Sequence, residues 1–314
     1  MMNKSPFTLA PEYREYVWGG AKLRPEVVPT AEAWIVYAGN CVSSGGYAGL
    51  TLADLSERFG ADLLGARALR ATGGRFPILV KLLDPAQWLS VQVHPNDEQA
   101  RQLEGAGSVG KTEAWHILES EPNASLLAGV KPNVSAAALQ AAIRNGTVLD
   151  CARKFFSKQG DTLFIPAGTL HALGPGLLIY EIQQASDITY RVYDWGRPQT
   201  ETRKLHIEQA LVACDPSAQP QMIPAPSLLD GEAKTLTECE YFKLEILLAG
   251  ESAAQCNTGG ESFHALTLFE GQSQVRAGAL SFLLNKFETL FIPASCGAYE
   301  IAPIKKSRLL RASV

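Results

Sequence analysis

Short apolar runs separated by turn residues dominate the chain. The runs before residue 200 are FPILVKLLD (76–84), WLSVQV (88–93), EAWHIL (113–118), DTLFIPA (161–167), LLIYEIQQ (177–184) and ITYRVYDW (188–195). The last third adds YFKLEILL (241–248), HALTLFE (264–270), SFLLN (281–285) and ETLFIPA (288–294). Gly, Pro, Asn or Asp stand between most of these runs, and many short strands with such turn signals are typical of an all-β sandwich or barrel.

Helical patterns are fewer and shorter. Apolar residues recur at helical spacing at about 51–66, where Thr51 can cap the helix, at about 135–145, where Ser135 can cap it, and at 206–214. A stretch rich in Pro, Ala and Ser follows at 215–228 and is the best candidate for a linker. We therefore predict an N-terminal catalytic domain, residues 1–228, and a C-terminal domain, residues 229–314.

One segment is repeated within the chain. DTLFIPAGTLHA (161–172) resembles ETLFIPASCGAY (288–299), and at a constant offset His171 aligns with Ala298. A repeat of this kind predicts two similar β-barrels. If His171 binds a metal, we expect the C-terminal barrel to be metal-free.

The overall composition narrows the function. Hydrophobic residues make up 46% and charged residues 19%, which indicates a globular chain. A net charge of −4 argues against a nucleic-acid partner, although it leaves room for a phosphorylated small molecule. None of the six cysteines forms a CxxC pair, and we find neither a signal peptide nor an apolar run long enough to cross a membrane. We expect a cytoplasmic enzyme without a membrane partner.

Three polar residues share one face of a predicted strand. Side chains alternate along a strand, so Ser90, Gln92 and His94 point to one side while Val91 and Val93 point to the other. Polar side chains backed by β-branched residues fit a strand that lines a wet cavity.

Two further candidates lie downstream. Glu113 shares a strand face with Lys111 and Trp115, whereas His116 faces the other way. His171 follows a Pro-Ala-Gly-Thr turn that directs the next inward residue into the barrel. His116, His206 at a helix start and His264 without a matching polar set are predicted not to be ligands.

These donors suit a catalytic metal site. Two imidazoles, one carboxylate and one amide oxygen fit zinc with open positions for water or substrate oxygens. Two histidines and a carboxylate are also compatible with non-haem Fe(II), so a metal-dependent oxygenase is one alternative.

Several blocks then resemble a known family. They are WGG (18–20), VKLLD (80–84), LSVQVHP (89–95), GKTEAWHIL (110–118), FIPAGTLHALGPG (164–176), YEIQQASDITYRVYDWGR (180–197) and LHIEQAL (205–211). In order and spacing they resemble type I mannose-6-phosphate isomerase in its shorter bacterial form. The sequence departs from the family pattern near residue 32, where Ala31 replaces the usual Gly and Tyr37 stands in place of Ser.

The resemblance implies a zinc enzyme built on a double cupin, mainly β, that interconverts mannose 6-phosphate and fructose 6-phosphate through an enediol. It implies one Zn²⁺ per chain, held by Gln92, His94, Glu113 and His171. It also implies a substrate pocket that contains Arg191, Lys111, Ser90, Lys81, Glu181, Asp187 and Trp18. We expect a monomer or a weak homodimer that binds a small phosphorylated sugar.

The individual roles stay open from sequence alone. Glu181 or Asp187 can serve as the proton-transfer base, and Asp187 is equally compatible with a simple turn. Arg191 or Lys111 can stabilise the developing oxyanion or, like Ser90, bind phosphate. Lys81 is equally suited to pair with Asp84. The alternative function is a metal-containing cupin that binds sugar without catalysis.

Overall fold

The apolar runs form β-strands in the computed structural model, which describes residue 2, residues 4–201 and residues 203–314. The strands before residue 200 are β1 Phe7–Thr8, β2 Glu12–Arg14, β3 Glu32–Val36, β4 Ile78–Leu83, β5 Val91–Val93, β6 Glu113–Ser120, β7 Ser125–Val130, β8 Ala152–Phe156, β9 Thr162–Ile165, β10 His171–Leu173, β11 Leu177–Gln184 and β12 Tyr190–Tyr193. The later strands are β13 Gln221–Ile223, β14 Ala233–Glu238, β15 Lys243–Ala249, β16 Ala254–Asn257, β17 His264–Ala277, β18 Leu280–Leu284, β19 Thr289–Ile292 and β20 Ala298–Ser313. Each predicted run contains a strand.

The helices are short, and three of the six described helices, α1, α4 and α5, have a side-chain N-cap. They are α1 Leu52–Phe59, α2 Ala61–Leu64, α3 Ala66–Thr72, α4 Asp97–Glu104, α5 Ala136–Asn145 and α6 Ile207–Ala213. Thr51 accepts a hydrogen bond from the Asp54 backbone, and Ser135 accepts one from the Ala138 backbone, so both predicted caps are confirmed. None of these helices is long and apolar enough to cross a bilayer.

The strands form three sheets. One has eight strands in the order β1-β19-β17-β20-β15-β14, with β16 beside β20 and β18 beside β17. The second has five strands, β12-β5-β10-β7-β8, and the third has seven, β13-β9-β6-β11-β4-β3-β2. The predicted mainly β fold of the double-cupin type is confirmed. The predicted linker is partly structured, because β13 pairs with β9.

The predicted repeat is visible in the strand boundaries. β9 and β19 occupy the aligned segments Thr162–Ile165 and Thr289–Ile292. The next strands, β10 and β20, begin at His171 and at its aligned partner Ala298. The two copies therefore share the strand start, with alanine in the second copy where the first has histidine, but the segment before it is a turn in the first copy and a short 3-10 helix, Ala294–Cys296, in the second.

The chain divides into two compact units. The first comprises Met1–Glu12, Trp34–Val80 and Pro226–Val314, and the second comprises Tyr13–Ala33 and Lys81–Ala225. The last passage from the second unit to the first falls close to the predicted domain boundary at residue 228. The division into domains 1–228 and 229–314 stays a prediction.

Packing within the second unit explains why the polar face of β5 points toward the barrel interior. Val91 and Val93 of β5 are buried in a core that includes Leu139 and Ile143 of α5. Because side chains alternate along a strand, Gln92 faces the opposite way. Burial of the valines against the helix therefore turns Gln92 toward the barrel interior, as the alternation of residues predicts.

Candidate metal centre and substrate pocket

Three buried side chains converge where strands β5, β6 and β10 meet. His94 follows β5, Glu113 begins β6 and His171 begins β10. One ligand atom from each lies within 4.8 Å of the others, and all three residues are at most 1% exposed. Within residues 4–201 and 203–314 no other set of three histidine, cysteine or carboxylate side chains is arranged this way.

Both imidazoles are held in the tautomer that suits a metal. Nδ1 of His94 lies 2.8 Å from the Ile188 carbonyl oxygen, and Nδ1 of His171 lies 2.8 Å from that of Thr169. Each Nδ1–H therefore donates to a carbonyl, which leaves the lone pair on each Nε2. These Nε2 atoms lie 3.5 and 3.4 Å from the two oxygens of Glu113. Backbone partners of this kind commonly orient metal-binding histidines.

Glu113 is the acidic member of the cluster. Its two oxygens are fully buried and accept no hydrogen bond of good geometry, although Lys111 Nζ lies 3.0 Å from Oε2. Burial raises the pKa of Glu113 to about 7, against the opposing effect of Lys111. Burial lowers the pKa of His171 to about 4, and burial and then Lys111 lower the pKa of His94 well below its usual value. Two neutral imidazoles and an under-bonded carboxylate are a donor set that fits a divalent cation such as zinc.

Gln92 adjoins this cluster. Its Cα pairs with that of His171 across β5 and β10, and its amide nitrogen lies 3.2 Å from His171 Nε2. Ser90 Oγ lies 3.3 Å from the Gln92 amide oxygen. Turning the amide by half a revolution exchanges its nitrogen and oxygen, so the side chain is able to offer an oxygen at the same place.

A cavity of about 920 Å³ lies beside the cluster in the second unit. It is lined by the predicted site residues Trp18, Lys81, Ser90, Gln92, Lys111, Glu181, Asp187 and Arg191. The structure thus brings together every substrate-site residue that the sequence predicted, next to the predicted ligands. Their roles as ligands, acids, bases or phosphate partners stay predictions.

Buried ion pairs organise the floor of the cavity. Lys81 Nζ lies 3.7 Å from Glu32 and 3.4 Å from Glu181. The indole N–H of Trp115 donates to the other oxygen of Glu181 at 2.8 Å. Asp84, which the sequence suggested as a partner of Lys81, accepts a hydrogen bond from the backbone N–H of Lys22 at 2.6 Å.

These contacts keep both Lys81 and Glu181 charged although both side chains are buried. Burial alone would lower the pKa of Lys81, but Glu32 and Glu181 raise it above its usual value. Burial alone would raise the pKa of Glu181, but Lys81, Lys111 and the Trp115 N–H lower it. Glu181 is therefore ionised at neutral pH although it is buried.

Arg191 is fixed through its backbone. It pairs with Gln92 across β12 and β5, which places it next to the side chains that could bind the metal. The backbone N–H of His206 donates to the Arg191 carbonyl oxygen at 2.8 Å. The backbone N–H of Arg191 donates to Nδ1 of the His206 ring at 3.3 Å. His206 also stands at the N-terminus of α6, as predicted.

The other two histidines predicted not to be ligands lie elsewhere. His116 Nδ1 is 2.9 Å from Thr162 Oγ1, on the strand face opposite to Glu113. His264 Nδ1 is 2.7 Å from the Tyr299 hydroxyl in the first unit.

Several residues of the pocket were not predicted from the sequence to belong to the site. They are Tyr16, Glu32, Arg197, Arg203 and His206 in the cavity wall, and Trp115 behind it. Arg197 and His206 lie in blocks that carry the family resemblance, and Trp115 shares a strand face with Glu113, so the sequence held a signal for these three. Glu32 lies where the sequence departs from the family pattern. Arg203 had none, because it lies in a polar loop outside every block.

Comparison with known proteins places the chain among similar sequences and structures. The family "Phosphomannose isomerase type I, catalytic domain" matches residues 7–109. The probable mannose-6-phosphate isomerase GmuF of Bacillus subtilis is 41% identical over 94% of this chain and 96% of its own length. The crystal structure of the mannose 6-phosphate isomerase from Bacillus subtilis superposes with a TM-score of 0.87 at 31% identity, covering 99% of this chain and 100% of the other. A zinc-bound mannose 6-phosphate isomerase structure has the same fold, with a TM-score of 0.76 at 18% identity over 98% and 99% of the two chains.

Proposed function

The chain belongs to the type I mannose-6-phosphate isomerase family, and we propose on this basis that it interconverts mannose 6-phosphate and fructose 6-phosphate. The observation that carries the proposal is the buried set of His94, Glu113 and His171 beside a cavity that is large enough to admit a sugar phosphate. We assign one zinc ion per chain to these three residues, with Gln92 as the fourth ligand. Bound there, zinc supplies Lewis acidity toward the oxygens on C1 and C2 of the sugar.

The protein's own residues meet the other demands of the reaction. Moving a proton between C1 and C2 requires a carboxylate base, for which the cavity offers Glu181 and Asp187. Negative charge then builds on the sugar oxygens, and Arg191 and Lys111 are the cations next to the cluster. Ser90 and Trp18 complete the wall against which the sugar lies.

A coupled assay tests the proposal. The purified protein should convert mannose 6-phosphate to fructose 6-phosphate, lose this activity on chelation and regain it with added zinc. Metal analysis should find stoichiometric zinc rather than iron. Zinc-replete protein without isomerase activity would contradict the proposal and favour the non-catalytic sugar-binding cupin instead.

We propose a cytoplasmic enzyme that is a monomer or a weak homodimer. All six cysteines are free thiols, which agrees with a reducing compartment. The net charge of −4 gives no support for nucleic acid as a partner. Light scattering across a concentration series tests the oligomeric state, and fractionation of cells tests the compartment.

A further inference from the structure

Three arginines lie along one wall of the cavity, and a single carboxylate ties two of them together. Arg191, Arg197 and Arg203 all line the cavity. Asp194 accepts hydrogen bonds from Nε and Nη2 of Arg203, at 2.6 and 2.7 Å, and from Nη1 of Arg197 at 3.0 Å. Asp194 is 7% exposed, so this fork is shielded from water and fixes the plane of the Arg203 guanidinium.

The three arginines differ in how many of their guanidinium N–H groups are already hydrogen-bonded within the protein. Arg197 is further anchored, because its Nη2 donates to the Gln87 side chain at 3.1 Å and to the Trp88 carbonyl at 2.9 Å. Arg203 donates to Asp194 from Nε and Nη2, and its Nη1 has no hydrogen bond to any residue that the structure describes. The guanidinium of Arg191 forms no ion pair with any residue among 4–201 and 203–314.

The three arginines outnumber Asp194, the one carboxylate that forms ion pairs with them. The deeper cations are already balanced, Lys111 by Glu113 and Lys81 by Glu32 and Glu181. Arg191 and Arg203 line the same cavity, and burial and then the charge of Arg203 lower the pKa of Arg191, although Asp194 and Asp187 oppose the shift. Like charges held together in a partly buried wall repel unless an anion lies between them.

The position of the wall agrees with the shape of the substrate. Because Arg191 pairs with Gln92, it lies beside the proposed metal ligands. Arg203 comes from the loop that precedes α6. In a hexose 6-phosphate the phosphate is attached four carbons away from C2, so it binds away from the cluster when C1 and C2 face the metal.

We propose that Arg203, aligned by Asp194 beside Arg191, forms an anion subsite that takes the phosphate group of the sugar and selects phosphorylated over neutral sugars. This inference rests on the proposed function. Arg203 is a binding residue in it, and Asp194 is a positioning residue that acts through Arg203. The subsite provides charge-assisted N–H donors in a fixed plane, the arrangement that suits phosphate oxygens.

Two substitutions at Arg203 test the subsite. In Arg203→Gln, the affinity for inorganic phosphate, measured by calorimetry, should fall about tenfold or more, as expected when a charged donor is lost. The KM for mannose 6-phosphate should rise by a similar factor while kcat stays within about twofold of the parent protein. Arg203→Lys keeps the charge without the fork and should recover part of the loss. Zinc content should match that of the parent protein, whereas the melting temperature should fall, because Asp194 loses two of its donors.

Asp194→Asn separates positioning from net charge. The substitution makes the wall more positive, so phosphate would bind more tightly if charge alone mattered. If Asp194 aligns Arg203, phosphate affinity should fall instead. Tighter or unchanged binding would overturn the positioning role.

Arg276→Gln is the matched control. Arg276 forms an exposed ion pair with Glu300 at 2.8 Å in the first unit, so its loss should change neither phosphate binding nor KM. An Arg203→Gln protein that is folded and zinc-replete but has parental KM and phosphate affinity would refute the subsite while leaving the isomerase function intact. Conversely, a parent protein that binds phosphate through Arg203 but does not isomerise mannose 6-phosphate would refute the function and keep the subsite.

Discussion

Gln92 and His171 are directly paired across two antiparallel strands, and the amide nitrogen of Gln92 lies 3.2 Å from Nε2 of His171. The two side chains therefore share one face of the sheet, with Glu113 Oε1 only 3.4 Å from the same imidazole nitrogen. A neutral amide is a weak metal donor, so its contribution to metal binding is worth measuring separately from that of the histidines.

Replacing Gln92 with Leu should weaken zinc binding without abolishing it. Leucine keeps roughly the volume of the side chain but removes the amide, and we expect zinc affinity to fall about 10–100-fold, the range seen when supporting partners of a metal site are lost. Competition with a chelator of known affinity measures the change. Gln272→Leu, at an exposed hydrogen bond to Asn285 in the first unit, is the control and should retain parental zinc affinity. Unaltered zinc affinity in Gln92→Leu would remove Gln92 from the ligand set.

Lys81→Met should destabilise the protein strongly. Lys81 is buried between Glu32 and Glu181, so its loss leaves two buried carboxylates without their cation. Breaking a buried pair in this way costs about 3–5 kcal/mol of unfolding free energy. Urea unfolding monitored by tryptophan fluorescence measures the loss.

Lys22→Met is the matched control for that experiment. Lys22 pairs with Glu121 at 3.2 Å, but both side chains are substantially exposed. Exposed pairs contribute about 0–1 kcal/mol, so the control should unfold close to the parent protein. Equal effects of the two substitutions would show that the Lys81 pairs contribute no more than surface pairs.

Local patterns in the sequence predicted much of the fold, because strands, caps and turns depend on neighbouring residues. The repeat at Thr162–Ile165 and Thr289–Ile292 and the caps at Thr51 and Ser135 belong to this class. Helix α4 was missed, since DEQARQLE has no apolar stripe. Its capping box, with Asn96 and Gln99, was nevertheless visible in the sequence.

The candidate site was predictable only where polar residues share one strand. Ser90, Gln92 and His94 follow from alternation, but the pairing of Gln92 with His171 depends on which strands become neighbours. Arg203 reaches Asp194 from a loop, and no periodic pattern indicates where a loop docks. The family resemblance supplied the remaining ligands because it carries this non-local information from related chains.

His264 should make the first unit less stable in acid. Burial, followed by the charge of Arg311, lowers its pKa to about 3, although Glu245 opposes the shift and Lys243 adds to it. Below the unfolded-state value of about 6.5 the unfolded chain binds a proton that the folded chain does not, so stability falls as pH falls from about 6.5 to 3. The slope from this one group is at most about 1.4 kcal/mol per pH unit.

His264→Asn removes that titration and should flatten the dependence of stability on pH between about 6 and 4. Both proteins are unfolded with urea in the presence of a chelator, so that metal release does not contribute. The difference between the two curves is the quantity of interest, because carboxylates titrate equally in both. If stability depended on pH in the same way in both proteins, His264 would not have a lowered pKa in the folded protein, and the prediction would be wrong.

Arg191→Ala should slow the chemical step rather than weaken binding. Arg191 pairs with Gln92 beside the proposed metal ligands, where we expect negative charge to develop on the sugar oxygens, whereas we propose Arg203 as the partner of the phosphate. Removing an oxyanion donor costs about 10²–10³ in kcat, and KM should change much less. Arg203→Gln should show the reverse pattern. Steady-state kinetics on zinc-replete proteins, at a temperature where both variants are folded, measures both. A raised KM with parental kcat in Arg191→Ala would assign Arg191 to the phosphate as well, and parental values for both constants would leave Lys111 as the cation that faces the reacting oxygens.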